Sequence, residues 1–161
     1  MTIVVRPGST DDAEAALDVF VAAETARRGR PVDDDDEERV ADRLRGGTGW
    51  LMVAKDDERL VGMAVGYDTR AEDGAGELIP GSCHLSMVFV TPDVWGRGVG
   101  GQIVDAVLTE ARRRGYDHMQ LWTHEDNLRG QRLYASRGFT RSGREKDDVR
   151  GQPIALWERA L

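Results

Sequence analysis

What this 161-residue chain lacks narrows its chemistry first. It has one cysteine, Cys83, so no internal disulfide can form and a cysteine-rich zinc site is excluded. Three histidines supply no convincing metal-ligand set. Basic charge is in deficit: 22 Lys and Arg against 29 Asp and Glu leave a net charge of −7, which argues against nonspecific nucleic-acid binding. No apolar run approaches the length of a transmembrane helix, and the opening MTIVVRPGSTDDAEAA turns acidic too early for a signal peptide. The expectation is a cytoplasmic protein with no membrane and no nucleic-acid partner. Its length fits a single domain over 1–161, without internal repeats or low-complexity segments.

What is present centres on Thr91–Gln102, TPDVWGRGVGGQ. A run of β-formers, Leu85–Val90, enters it, and an amphipathic helix from Val99 to about Arg113 leaves it. Gly96, Gly98, Gly100 and Gly101 sit at the junction, where glycine permits positive φ and close approach of a ligand to the main chain. A helix starting there directs unpaired N–H groups and its positive dipole end forward. Together these elements make a phosphate cradle.

The rest of the chain falls into order around it. Ile3–Arg6 alternates as a strand, and Ser9-Thr10-Asp11-Asp12 supplies caps for a helix carrying Ala13, Ala16, Leu17, Phe20 and Val21 on one face. Pro31–Asp36 reads as an acidic linker into a shorter helix with Val40 and Leu44. Trp50–Ala54 and Leu60–Tyr67 form a hairpin, Asp68–Gly81 is loop by composition, and Ser82–Val90 is the next strand. Arg112-Arg113-Arg114 complements the dipole at the end of the glycine helix. His118–Thr123 is a strand and Asn127–Ser136 a helix. Phe139–Gly143 and Pro153–Leu161 form a terminal antiparallel pair across KDDVRGQ. Trp50, Met52, Met63 and Trp157 belong to the core or an interface. The order is β-α-α-β-β-β-α-β-α-β-β, with one parallel, right-handed crossover through the glycine helix.

Gly96, Gly98 and Gly101 also satisfy G-x-G-x-x-G, which raises an NAD-binding oxidoreductase. That fingerprint places its first glycine directly after the first strand and is followed by several strand–helix units. Here five residues, Thr91–Trp95, intervene, a meander precedes, and too few units follow.

The segment VFVTP-DV-WGRGVGG before an amphipathic helix resembles motif A of the GCN5-related N-acetyltransferases (GNAT). Downstream, Asn127-Leu-Arg-Gly-Gln-Arg-Leu133-Tyr134-Ala-Ser-Arg-Gly138-Phe139 resembles the family's motif B, N-x-x-A-x-x-L-Y-x-x-x-G-F. The element order matches over nearly the whole chain. Two positions depart from the pattern: Trp95 stands where motif A usually has Gln or Arg, and Gly130 replaces the usual Ala of motif B.

The resemblance implies an α+β fold in three layers. About seven strands form a mixed, mostly antiparallel sheet flanked by about four helices and splayed between the fourth and fifth strands. It implies acetyl-CoA as acetyl donor and a small-molecule or protein amine as acceptor. By the same resemblance, Trp95, Gly96, Arg97, Gly98, Val99, Gly100, Gly101 and Gln102 would hold the pyrophosphate, largely through N–H groups from Arg97 to Gln102. Main-chain groups of Val88 and Val90 would pair with pantetheine, Asn127 would orient the cofactor, and Tyr134 would protonate the departing thiolate. The family often carries a base six residues before the second valine, which is His84 here, on the strand face of Ser86, Val88 and Val90. A water chain is the alternative base and Glu77 the reserve, while His118 and His124 are structural or surface residues. Cys83, adjacent to His84 on a strand, points to the opposite face, so the two make no Cys–His dyad. A non-catalytic acyl-CoA sensor of the same fold is the competing function. Acidic residues in Asp68–Gly81 and Lys146–Gln152 mildly favour a cationic acceptor. A homodimer is compatible with such a domain, although no pattern marks one.

Overall fold

A computed structural model describes residues 1–161. The strands are β1 (Ile3–Pro7), β2 (Trp50–Asp56), β3 (Arg59–Arg70), β4 (Leu78–Val90), β5 (His118–His124), β6 (Thr140–Asp147) and β7 (Pro153–Ala160). The helices are α1 (Ala13–Arg28), α2 (Asp34–Gly46), α3 (Val99–Arg113) and α4 (Leu128–Ser136). The strands form one sheet in the order β1-β2-β3-β4-β5-β7-β6. Antiparallel pairs join β1–β2, β2–β3, β5–β7 and β6–β7, whereas β4 and β5 are parallel. Their pairing runs only from Ser82↔His118 to His84↔Gln120, although β4 continues to Val90 and β5 to His124. The expected mixed, splayed sheet is present.

The chain packs as two compact units. One comprises Met1–Gly66 and Met87–Val107, the other Tyr67–Ser86 and Leu108–Leu161.

In the first unit, Ser9 and Asp12 form a capping box: the Ser9 hydroxyl accepts from Asp11 N (3.2 Å) and Asp12 accepts from Ser9 N (2.9 Å). α1 buries Ala13, Ala16, Leu17 and Phe20 and stops at Gly29, whose φ of 71° closes the helix in the left-handed region. α2 begins earlier than composition suggests. Asp34, Asp35 and Asp36 occupy its first turn, where the dipole favours them, so the acidic run is helix from Asp34 on. Asp36 is itself buried and accepts from Arg28 (3.3 Å) and Arg39 (3.1 Å). Both helices pack on Met63, Val65 and Met87, and Phe20 meets Phe89 edge-on at 5.1 Å. Burying such side chains supplies about 1.5–3 kcal/mol each.

In the second unit, half of the segment Asp68–Gly81 is strand, leaving 71–77 between β3 and β4. Buried polar pairing accounts for the difference: the Ser82 hydroxyl donates to Thr69 Oγ1 (2.9 Å), and Ala71 N donates to Glu77 O (2.8 Å). His118 Nδ1 lies 2.9 Å from the same Ser82 hydroxyl, a structural role. β6 also runs past Gly143, because that glycine (φ 93°) sits in a register irregularity between Arg141 and Glu145. The closing turn is then 148–152, where the Asp148 carboxylate accepts from Arg150 N and Gln152 N, each at 2.9 Å. Glu110 near the end of α3 takes Arg113 (2.6 Å) and Arg114 (3.1 Å), consistent with basic residues serving that helix end.

Gly130 in α4 gains a reason. A Cβ there would stand 2.5 Å from Asn127 Nδ2, and Asn127 caps the helix by accepting Gly130 N at 3.0 Å. Gly130→Ala should therefore not deliver the usual gain of about 1 kcal/mol. Displacing the cap costs about 0.5–2 kcal/mol, so urea unfolding should find the variant neutral to slightly destabilised.

Candidate functional site

The glycine junction belongs to the first unit. β4 ends at Val90, a single turn of 3-10 helix spans Pro92–Val94, and α3 starts at Val99. Gly96 and Gly98 have φ of 78° and 80°, and neither would bring a Cβ within 4 Å of another atom. The left-handed backbone and the empty space in front are the two properties a main-chain ligand cradle needs. Gln102 N already donates to Gly98 O (3.1 Å), the first bond of α3. Of the N–H groups from Arg97 to Gln102, those of Val99, Gly100 and Gly101 remain in the first turn, where a helix offers no internal partner. Val99 also anchors the turn, because its side chain is buried.

Trp95 now has a function in the fold. Its indole Nε1 donates to the Val90 carbonyl at 2.7 Å, closing the loop back on the end of β4. Thr91 N donates to Val61 O (2.9 Å), and Arg59 pairs with Asp93 at 2.8 Å, which tie the same loop to β3. The Val90 carbonyl, one of the main-chain groups expected to meet pantetheine, thus also serves the indole. Nothing in the sequence signals that bond.

The second unit holds the candidate proton-transfer groups. Burial along β4 alternates as predicted: Cys83, Leu85 and Met87 are buried, while His84, Ser86, Val88 and Val90 are half-buried on the other face. Burial pushes the Cys83 thiol up to about 12, so it stays neutral and is no nucleophile. The His84 ring stacks on Tyr67, centroids 5.3 Å apart, and its Nδ1 lies 3.0 Å from Gln120 Nε2. Tyr67 and Gln120 are the positioning partners that sequence reasoning missed. The β4–β5 register brings Gln120 to His84, and Tyr67 reaches the ring from β3.

Tyr134 is buried in α4, with its ring edge-on to Phe139 at 5.8 Å. Burial raises its hydroxyl pKa far above the usual phenol value. Asn127, expected to orient the cofactor, is the N-cap of α4: Oδ1 accepts from Gly130 N, and Nδ2 donates to Thr123 Oγ1 at 3.4 Å. His124 pairs with Asp148 at 2.8 Å. No group of three or more His, Cys, Asp or Glu side chains is placed to hold a metal ion, and no helix is long and apolar enough to cross a membrane.

The architecture is that of an α+β protein whose mixed sheet runs from its fourth strand through a glycine-opened turn into a helix. The chain belongs to the Acetyltransferase (GNAT) family, whose model matches residues 14–139. It is 32% identical over 141 residues to mycothiol acetyltransferase of Brachybacterium faecium, covering 83% of this chain and 39% of that protein. It is 30% identical over 120 residues to the peptidyl-lysine N-acetyltransferase YjaB of Salmonella typhimurium, covering 74% and 69%. The chain thus spans about two fifths of the mycothiol acetyltransferases it matches. Among solved structures, the acetyltransferase yncA of Salmonella typhimurium with acetyl-CoA superposes with a TM-score of 0.75 at 22% identity, covering 100% and 95%. A GNAT-family protein from Desulfovibrio desulfuricans reaches a TM-score of 0.79 at 15% identity, covering 99% of each chain.

One substitution tests the His84 environment. Gln120→Glu would place a carboxylate against Nδ1, favouring the imidazolium and keeping the ring protonated to higher pH. If neutral His84 is the base, the acid limb of kcat/KM should move up by about one pH unit. With water as the base, that limb should stay in place.

Proposed function

We propose that this protein is an N-acetyltransferase that moves the acetyl group of acetyl-CoA to a primary amine by direct attack. The observation that carries the proposal is the open, left-handed Gly96–Gly98 turn at the start of α3, in a chain of this family. The acetyl-CoA in the yncA structure and the lysine and mycothiol named for the relatives support it.

In this reading the N–H groups of Val99, Gly100 and Gly101 receive the pyrophosphate, aided by the helix dipole, with Gly96, Arg97 and Gly98 shaping the approach. Main-chain groups of Val88 and the N–H of Val90 pair with pantetheine. The neutral amine attacks the thioester carbonyl carbon, forming a C–N bond and a tetrahedral oxyanion. His84, or a water chain, accepts the proton that the nitrogen gives up. Collapse of the oxyanion breaks the C–S bond, and the sulfur takes a proton from the Tyr134 hydroxyl. An ordinary thiol has a pKa of about 8.5, below a phenol, so transfer is uphill in water. Burial keeps the Tyr134 hydroxyl protonated until the thiolate forms, and a thiolate leaving into a desolvated site is itself made more basic, which favours its capture of the proton. Cys83 takes no part, because it is buried on the other face of β4.

Release of CoA thiol from acetyl-CoA, followed with a thiol-reactive dye over a panel of primary amines, tests the proposal. Acceleration by at least one amine is expected. Tight CoA binding with no acceleration by any amine would favour a non-catalytic sensor instead.

A further inference from the structure

The face of β5 that meets His84 continues beyond it. Gln120 lies opposite His84, and Trp122, two residues on, shares that face about 7 Å further along the strand. Above the Trp122 ring stand two cations from β6, Lys146 Nζ at 4.6 Å and the Arg144 guanidinium at 5.5 Å from its centroid. Both also hold Asp73, Arg144 at 3.0 Å and Lys146 at 3.2 Å. Burial opposes ionisation of Asp73, but hydrogen bonds from Lys146 and Arg144 outweigh it and hold the carboxyl below its ordinary pKa. Asp73 comes from the short 71–77 connection, where two successive non-glycine residues, Glu72 (φ 54°) and Asp73 (φ 53°), sit in the left-handed region. Such backbone is costly and persists only where neighbours hold it. The three charged side chains are 59%, 38% and 37% exposed for Arg144, Lys146 and Asp73, an exposure at which ion pairs are weak and exchange with competitors.

Two cations over an aromatic ring, closed by one internal carboxylate on a strained loop, form a carboxylate site occupied by the protein itself. We propose that the acceptor is an amine bearing its own carboxylate a few bonds from the nitrogen, an amino acid in chemical class. Its carboxylate displaces Asp73 between Arg144 and Lys146 over Trp122, and its nitrogen lies back along β5 towards His84. The inference rests on the acetyl-transfer reading and names its acceptor class. It also replaces the cationic acceptor that loop acidity suggested. Asp73 is neutralised by Arg144 and Lys146, and Asp148 is engaged by His124 and by the N–H groups of Arg150 and Gln152, so these two carboxylates are already partnered. An amine without the carboxylate would bring only positive charge to a pair of cations, which disfavours it.

The test uses matched pairs: α-amino acids and the amines left when their carboxylate is removed. Binding is read from the Trp122 indole resonance of ¹⁵N-tryptophan-labelled protein with CoA present, assigned with Trp122→Phe, and turnover from CoA thiol release. Amino acids should shift that resonance and show the lower KM. Asp73→Asn, which keeps the size of the side chain and tolerates left-handed backbone, should lower KM for amino acids at least fivefold and leave their decarboxylated partners within twofold. The double variant Arg144→Ala/Lys146→Ala should raise KM for amino acids at least tenfold. Decarboxylated amines acetylated at equal or lower KM, and indifferent to these variants, would overturn the inference and leave the acetyltransferase reading intact. Amino acids that shift the indole in an Asp73-dependent way without being acetylated would uphold the carboxylate site and overturn acetyl transfer.

Discussion

Tyr134→Phe should lower kcat by about 10²- to 10⁴-fold, the range for loss of a general acid, while CoA binds within a few-fold of the original affinity. The substitution keeps the ring that packs edge-on against Phe139 at 5.8 Å and removes only the hydroxyl. Because burial raises the hydroxyl pKa, the phenol remains protonated throughout the working pH range, so no limb of the pH–rate profile should report its ionisation. Single-turnover measurement of thiol appearance, beside calorimetric CoA binding, separates the two effects. A variant retaining more than a tenth of the turnover would make Tyr134 a packing residue and assign the thiolate proton to water.

Gly98→Asp should abolish measurable CoA binding at concentrations saturating the parent, a loss of about 100-fold or more, while the fold survives. Asp tolerates positive φ better than most side chains, and no atom lies within 4 Å of a Cβ at this position. The carboxylate would stand in the cradle and repel a pyrophosphate held by the helix start. Gly98→Asn supplies the neutral control of equal size and should lose much less. Equal losses in both variants would mean that space, and not charge, governs the cradle. No loss in either would place the pyrophosphate elsewhere.

Much of this fold was legible in the sequence, for reasons that differ by element. α3 was legible to the residue at its start because a glycine run meets a strong 3.6-residue period at Val99. The parallel β4–β5 step followed from the single strand–helix–strand crossover. Composition misled where polar residues are buried by pairing. Thr69 and Ser82 satisfy each other inside β3 and β4, so half of a stretch rich in Asp, Gly and Glu proved to be strand. Gly143 looked like a strand end and is an irregularity within β6, a difference that only the partner strand defines. The cradle glycines were evident because backbone freedom is written in residue type. The companions of the site were not, since Tyr67 on His84, Trp95 on Val90 and Asp73 on Arg144 and Lys146 depend on register and loop path. Asn127, which the family resemblance assigns to orienting the cofactor, also uses its Oδ1 to cap α4, a bond that only the helix start defines.

The burial of Cys83 has a practical outcome. Its side chain has no exposure and its thiol is pushed up to about 12, so the native chain is silent towards disulfide dyes and maleimides at neutral pH. Every equivalent of dye consumed in a turnover assay then reports released coenzyme and none reports protein. A slow signal without acetyl-CoA measures how often the β4 region opens. A cysteine introduced at an exposed position such as Val149 would be the sole reactive handle for attaching a fluorophore or a surface.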